Sequence, residues 1–371
     1  MPETVAARIT DLLRGHTGPA EEAAVLAELA SVPAGGLDAV LADLDLGDLV
    51  GSIDDRRWGP DHRSALLDLL CRQRRPELGT ERLAELVRAL HRGRTPQTHE
   101  EAIRDILLAQ RGPDLLALKY RINDSGDYHD LEHLVFEDLS DDSLRREVLD
   151  HIATESAGLT SPDLRILCDI DDTVICALHD DRYPRGTVYP GVVALLHELD
   201  RGAAEDPGRA GDLTFVTARP GGPRGLVESY TRNGLAELGL PPHAVLGGSL
   251  LNLHTKAAIA ERKIQNFERD RLLFPESRTL FIGDSGQADA QVGVEMLRLD
   301  PEHVEGVFIH NVTDLDTPAR EEWARRGVVV FDRYDELAAE MHRRGLISGE
   351  GLERVAAAVA HADVAAGHHP T

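Results

Sequence analysis

The chain has 371 residues, of which 42% are hydrophobic, and its formal net charge at pH 7 is −25. The length allows two domains with sizeable cores, and the hydrophobic content excludes disorder of the whole chain. The acidic balance argues against a nucleic-acid-binding protein and against docking on anionic membranes, because both depend on Lys and Arg. We therefore expect no nucleic-acid partner.

The cysteine pattern points to a reducing compartment. Cys71, Cys168 and Cys176 form no CxxC pair and no disulfide framework. No apolar stretch approaches the 18 residues of a membrane span, and the N-terminus lacks the core of a signal peptide. The sequence predicts a soluble, cytoplasmic protein without a transmembrane segment.

Residues 1–160 have a helical pattern, in which apolar residues recur at helical spacing, as in Leu83, Leu86, Val87 and Leu90. Gly and Pro pairs separate the amphipathic segments. These segments read EEAAVLAELA, HRSALLDLL, ERLAELVRAL, HEEAIRDILLAQ and DSLRREVLDHI. We predict an all-helical domain of unassigned role, with a surface that could bind a protein partner.

After Pro162 the pattern changes to short apolar runs that alternate with helical segments. The runs read RILCDI, DLTFVTA, HAVLGG, TLFIGD, VEGVFIH and GVVVFD. Such alternation is typical of βα repeats, so we predict an α/β domain with a mostly parallel, Rossmann-like sheet over 161–348. Residues 349–371 read as a C-terminal helix and a loose tail.

Asp169 and Asp171 lie in the segment LRILCDIDDTVICA, directly after the first predicted strand. Ligands bind at the carboxyl ends of strands in open α/β sheets, so both carboxylates are expected in one cleft. An ionised carboxylate can attack phosphorus without a base, and Mg²⁺ would remove its repulsion from a phosphate. Taken alone, the acidic segment has a less favoured alternative interpretation, a solvated turn or a helix cap.

Three later segments supply what such a nucleophile needs. Thr217, in FVTARP, ends a second strand, where its hydroxyl could hold a phosphate oxygen. A lysine on a predicted helix, either Lys256 or Lys263, could steady the negative charges. Asp284 ends a third strand in TLFIGDSGQAD and is followed by Asp289. Each segment is weak alone, whereas their order along the chain is much less expected by chance.

This set of motifs resembles the four motifs of the haloacid dehalogenase (HAD) superfamily of phosphohydrolases. Within that superfamily, DIDDT, IGDSGQAD and the pair Pro241-Pro242 resemble the catalytic domain of the actin-patch-associated phosphatidate phosphatase family. The resemblance extends over roughly residues 164–335 and leaves out the helical half. It implies a HAD core with a minimal cap.

The resemblance also implies roles for the residues. Asp169 would be the nucleophile that forms an aspartyl-phosphate, and Asp171 the acid/base. Thr217 would bind the phosphoryl group, and Mg²⁺ would be held by Asp169, Asp171 through its carbonyl, and Asp284. Asp289 would support this metal site. For the lysine we favour Lys263, which lies 21 residues before Asp284, a spacing similar to that of the family.

Substrate contacts follow from the same resemblance. Thr173, Arg185, Arg219 and Ser285 are the candidates, and HDDRYPRGTVYPGV would form a short flap beside the site. The short intervals between the motifs leave no room for a large cap. An open site would suit a bulky or lipid-like phosphorylated substrate; a rival interpretation is that the helical half covers the cleft.

The leading hypothesis from the sequence is therefore a Mg²⁺-dependent phosphomonoesterase that acts through an aspartyl-phosphate. One alternative is an interaction protein, in which the helical half recruits a partner and the HAD domain is weakly active. Another is a phosphotransferase, because an aspartyl-phosphate can be passed to an acceptor other than water.

Overall fold

We analysed a computed structural model of the chain. It describes residues 4–15, 17–53, 61–93, 95–123, 130–161, 163–205, 213–220, 234–235, 237–248 and 256–365, with the backbone alone at 217–220, 247–248, 256 and 365. The chain divides into two compact units, which are treated separately below. The first contains Met1–Asn123 and His129–Ala157, and the second contains Gly158–Thr371.

The first unit is helical. Its α-helices are α1 (Val5–Leu12), α2 (Pro19–Ser31), α3 (Leu37–Ala42), α4 (Leu46–Ser52), α5 (His62–Asp68), α6 (Thr80–His91), α7 (Gln97–Leu108), α8 (Gly112–Asn123), α9 (Leu131–His133) and α10 (Asp142–Ser156). Two of them continue as π-helical turns, at Leu69–Gln73 and Leu134–Asp138. An all-helical N-terminal part is confirmed.

The helix boundaries follow from side-chain caps. Asp45, Asp61 and Asp141 precede α4, α5 and α10, and each carboxylate accepts a hydrogen bond from a backbone N–H in the first turn. Such caps satisfy N–H groups that have no partner within the helix. The apolar face predicted for α6 is buried. The core of this unit therefore forms along the stripe that the periodicity indicates.

The second unit contains a parallel sheet. Its strands are β1 (Leu164–Cys168), β2 (Leu213–Pro220), β3 (His243–Gly248), β4 (Arg278–Asp284), β5 (Val304–His310) and β6 (Val328–Phe331). All six predicted runs form strands within the described residues. The predicted α/β class is confirmed.

The strand order is β3-β2-β1-β4-β5-β6, and every neighbouring pair is parallel. This is the doubly wound order, in which the chain leaves β1 in one direction across the sheet and later returns to its other side. The carboxyl ends of β1 and β4 therefore form a topological switch point. Ligands bind at such points because the flanking loops diverge and leave a crevice.

Helices cover both faces of the sheet. On one face, α11 (Val192–Arg201), α15 (Tyr334–Arg343) and α16 (Gly349–Ala365) contribute to a shared apolar core. On the other face, α12 (Lys256–Leu273) and α13 (Asp289–Leu299) pack against β1, β4 and β5, with α14 (Thr317–Arg325) at the margin. The C-terminal helix α16 belongs to the core through Val355 and Val359.

A short loop follows β1. Residues 176–187, called the flap from here on, overlap the flap segment predicted from the sequence and are closed by two hydrogen bonds: Cys176 N donates to Thr187 O, and Gly186 N donates to Cys176 O. In the described part of the chain, only this loop and α11 connect β1 to β2. Within the described residues, no helix combines the length and the apolar character that crossing a membrane requires.

Candidate active site

The switch point brings three carboxylates together. Asp169 directly follows β1, and its backbone N–H donates to Ile282 O in β4 at 2.9 Å. Asp284 is the last residue of β4, and Asp289 begins α13. One carboxylate oxygen from each of Asp169, Asp284 and Asp289 lies within 4.8 Å of the other two. Because β1 and β4 pair in parallel, acidic residues that are distant in the sequence form one buried acidic centre.

Lys263, from the middle of α12, lies among these carboxylates. Its Nζ donates to Asp169 Oδ1 at 2.8 Å and to Asp289 Oδ1 at 2.5 Å. The lysine side chain is 1% exposed, so both ion pairs are shielded from water. An ammonium in this position offsets the repulsion between the carboxylates.

Burial affects the acidic and basic groups in opposite ways. Desolvation raises the pKa of Asp169, while Lys263 opposes that rise. Desolvation, together with the charges of Asp289 and Asp169, also raises the pKa of Asp284. Burial alone would lower the pKa of Lys263, but the surrounding carboxylates outweigh it and raise that pKa above its usual value. The centre therefore combines three buried carboxylates with the ammonium of Lys263.

The loop after β4 orients Asp284. Asp284 Oδ1 accepts hydrogen bonds from the backbone N–H groups of Gly286 at 2.7 Å and Gln287 at 2.9 Å. The side-chain Nε2 of Gln287 donates to Asp284 Oδ2 at 3.1 Å and to the carbonyl oxygen of Asp171 at 3.4 Å. The Asp171 carbonyl thus faces the same loop as the Asp284 carboxylate.

The oxygen atoms of this centre suit a hard cation. Asp169 Oδ2 is buried and has no hydrogen-bond partner among the described residues. A buried carboxylate oxygen without a partner is costly unless a ligand or a metal ion satisfies it. Carboxylate and carbonyl oxygens are the ligands that Mg²⁺ prefers. The residues present therefore fit a Mg²⁺ site.

The buried carboxylates and Lys263 all lie between residues 164 and 311. Residues 164–311 match the family model of the phosphatidate phosphatase APP1 catalytic domain. This confirms the resemblance drawn from the motifs and supports a phosphatase, a hydrolase of phosphoric esters. No curated protein and no solved structure matches the chain at a significant level.

The structure describes the side chains of three predicted substrate contacts, whose roles stay predictions. Thr173 is fully buried. Arg185 is exposed on the flap. Ser285 is partly buried, and its Oγ accepts hydrogen bonds from the N–H groups of Val312 at 3.0 Å and Thr313 at 3.2 Å. Ser285 thus links the loop after β4 to the loop after β5.

Three predictions fall outside the described side chains. The backbone of Thr217 and Arg219 lies in β2, and Lys256 is the first residue of α12, but the structure describes none of these side chains. Their proposed roles stay predictions. Among the two candidate lysines, Lys263 is the one whose described side chain contacts the buried carboxylates.

Sequence reasoning missed Asp172, which lies between two predicted site residues, Asp171 and Thr173. Its backbone adopts a φ of 61°, and its side chain is fully buried. The carboxylate accepts hydrogen bonds from the backbone N–H groups of residues 177–179, at 2.7 to 2.9 Å, and from Nδ1 of His179 at 2.8 Å. The doubled Asp in DIDDT was the available signal.

Two more residues that sequence reasoning missed hold the backbone of the loop at residues 169–173. Nδ1 of His310, at the end of β5, donates to Asp172 O at 3.0 Å, and burial lowers the pKa of His310 to about 4. The hydroxyl of Tyr334 donates to Thr173 O at 2.5 Å. Nothing in the local sequence distinguishes either residue from an ordinary core aromatic.

Proposed function

We propose that the chain is a Mg²⁺-dependent phosphohydrolase that acts through an aspartyl-phosphate on a bulky or lipid-like phosphate ester. The observation that carries the proposal is the state of Asp169. One of its carboxylate oxygens is paired with Lys263, and the other is buried without a partner at the carboxyl end of β1. The family match of residues 164–311 supports a phosphatase.

In this proposal, Asp169 Oδ2 attacks the phosphorus atom, and the bond between phosphorus and the ester oxygen breaks. Asp171 donates a proton to the departing oxygen. Asp171 then takes a proton from a water molecule that attacks the aspartyl-phosphate, which releases inorganic phosphate and restores Asp169. Using one residue first as acid and then as base balances the proton over the two steps.

The other residues stabilise charge. Lys263 holds Asp169 Oδ1 in place, which leaves Oδ2 for attack, and its ammonium reduces the repulsion between Asp169 and an incoming phosphate. Asp169, Asp284 and the Asp171 carbonyl would hold Mg²⁺. When bound, Mg²⁺ would neutralise part of the phosphate charge and orient the ester.

The lipid-like substrate is the finer part of the proposal. It draws on the family description of residues 164–311 and on the short connection between β1 and β2, which contains the flap and α11 in the described residues. A site without a large cap admits a substrate that remains partly embedded in a micelle or bilayer.

The test is phosphate release from p-nitrophenyl phosphate and from phosphatidate in mixed micelles, each with Mg²⁺ and with EDTA. Asp169→Asn should abolish release from both substrates, since an amide is not a nucleophile of comparable strength. Asp150→Asn, which neutralises an exposed carboxylate of α10, is the matched control and should retain full activity. Unchanged release by Asp169→Asn, or release that survives EDTA, would contradict the mechanism.

A further inference from the structure

Asp172 links the loop at residues 169–173, which follows β1, to the flap. Its carboxylate accepts three backbone N–H groups and the ring Nδ1 of His179. Burial by itself would raise the pKa of Asp172, but these hydrogen bonds outweigh burial, and the pKa is lowered. Among the described residues, the hydrogen-bond donors to this carboxylate come from residues 177–179 of the flap.

The ring that Asp172 holds lies against the loop after β4. A Cβ atom built on Gly286 would lie 2.6 Å from both Cγ and Nδ1 of His179, so only glycine fits beneath this ring. Gly286 N is also the donor that contacts Asp284 Oδ1 at 2.7 Å. The His179 ring thus contacts the residue that orients Asp284.

We propose that Asp172 and His179 are positioning residues, which hold the Gly286 loop in place and thereby fix Asp284 for Mg²⁺ binding. The inference rests on the proposed function. Partners that orient a metal ligand typically change metal affinity or activity by about 10- to 100-fold when they are removed.

Asp172, His179 and Asp284 are an alternative candidate for a metal site, because a ligand atom from each lies within 4.8 Å of the others. The hydrogen bonds argue against that. Both oxygens of Asp172 already accept N–H donors, and His179 Nδ1 donates to one of them. These hydrogen bonds account for the positions of Asp172 and His179 without a second ion.

The first test is His179→Ala, measured as the Mg²⁺ dissociation constant by calorimetry without substrate. The side chain is 34% exposed, so the variant should fold. We expect Mg²⁺ binding to weaken by about 10- to 100-fold. Phosphate release should fall at limiting Mg²⁺ and recover at saturating Mg²⁺, which general structural damage would not produce.

The matched control is His303→Ala. His303 Nδ1 bonds Asp300 Oδ1 at 2.8 Å, and its side chain is 39% exposed, so it forms a similar Asp–His pair before β5. This variant should keep the Mg²⁺ affinity and activity of the wild-type protein.

Gly286→Ala and Asp172→Asn test whether His179 acts on Asp284 through its contact with Gly286. Gly286→Ala must displace the ring of His179, and Asp172→Asn replaces one acceptor oxygen by a donor. Each should weaken Mg²⁺ binding. Combined with His179→Ala, each should add less than its own effect, because residues that act through one contact are not additive.

The outcomes separate the inference from the proposed function. A wild-type protein that binds no Mg²⁺ and releases no phosphate would overturn both. A wild-type protein that does both, together with a His179→Ala variant of unchanged Mg²⁺ affinity, would overturn the positioning role and leave the phosphatase proposal intact. Full additivity in the double variants would also overturn the path through Gly286.

Discussion

Lys263 Nζ and Asp169 Oδ1 lie 2.8 Å apart with both side chains buried, although the two residues are 94 positions apart in the chain. The lysine projects from α12, and the carboxylate follows β1. An ion pair so deeply buried is stable only while both partners are present, because either charge alone would lack compensation.

Lys263→Met should therefore affect stability and activity together. Removing one partner of a buried pair typically destabilises a protein by about 3–5 kcal/mol, and here two carboxylates lose their cation. We expect urea unfolding to show this decrease in the free energy of unfolding. We also expect phosphate release to be lost. Lys256→Met is the control for the choice of lysine. Retained activity in Lys263→Met with lost activity in Lys256→Met would reverse that choice.

Gly283→Ala should disturb the acidic centre by displacing Asp289. A Cβ atom at this position would lie 2.6 Å from Cβ and 2.8 Å from Cγ of Asp289, which itself bonds Lys263. We expect overpacking to cost about 1–3 kcal/mol and activity to fall. Gly51→Ala in α4 is the control, since nothing lies within 4 Å of its added Cβ. Equal unfolding free energies for the two variants would contradict this account.

A second buried pair lies within the same unit. Arg165 Nη2 donates to Asp270 Oδ1 at 2.5 Å, and its guanidinium lies 3.9 Å from the ring centroid of Phe274. Asp270→Ala should destabilise by about 3–5 kcal/mol, whereas Arg165→Met combined with Asp270→Leu should cost less, because it removes both charges.

The control for this pair is Glu305→Gln, which breaks the ion pair between Arg278 and Glu305. The arginine of that pair is 44% exposed, so we expect an effect of about 0–1 kcal/mol. Urea unfolding of all these variants is the measurement. A double variant that is less stable than Asp270→Ala would contradict this account.

The three thiols should resist modification in the folded protein. Cys71, Cys168 and Cys176 are buried, and burial raises the pKa of Cys71 to about 12. Burial also raises the pKa values of Cys168 and Cys176. Because the thiolate is the reactive form, Ellman's reagent should react slowly with the native protein at about pH 8 and with all three thiols after denaturation.

The same shifts set a direction for stability. An unfolded thiol ionises near a pKa of about 8.5, whereas the folded thiols remain neutral to higher pH. The thiol contribution to the free energy of unfolding is therefore fully present below about pH 8.5 and is lost as pH rises towards the folded pKa. Rapid modification of the native protein would contradict this burial.

The sequence allowed prediction of the sheet because each strand is a short apolar run with a polar boundary. HAVLGG and VEGVFIH coincide with β3 and β5 as the structure has them. The acidic residues at strand ends were predictable for the same reason, since parallel strands place their carboxyl ends at one edge.

The contacts between distant residues were not predictable in this way. Arg165 lies within an apparently apolar run, and its partner Asp270 follows 105 residues later, so periodicity alone could not indicate the pair. The role of Asp172 depends on a left-handed backbone and on three flap amides, which only the folded loop reveals. The π-helical turn at Leu69–Gln73 likewise interrupts a segment whose periodicity is uniformly helical.

The pairing of β1 with β4 has a consequence for how the protein is made. Asp169 leaves the ribosome well before Lys263, Asp284 and Asp289, yet its side chain is buried only in their company. Long-range parallel pairing forms late, because the intervening chain must first be closed into a loop. A nascent chain should therefore carry an exposed carboxylate at Asp169, which is buried beside Lys263 and Asp289 only after α13 has been synthesised.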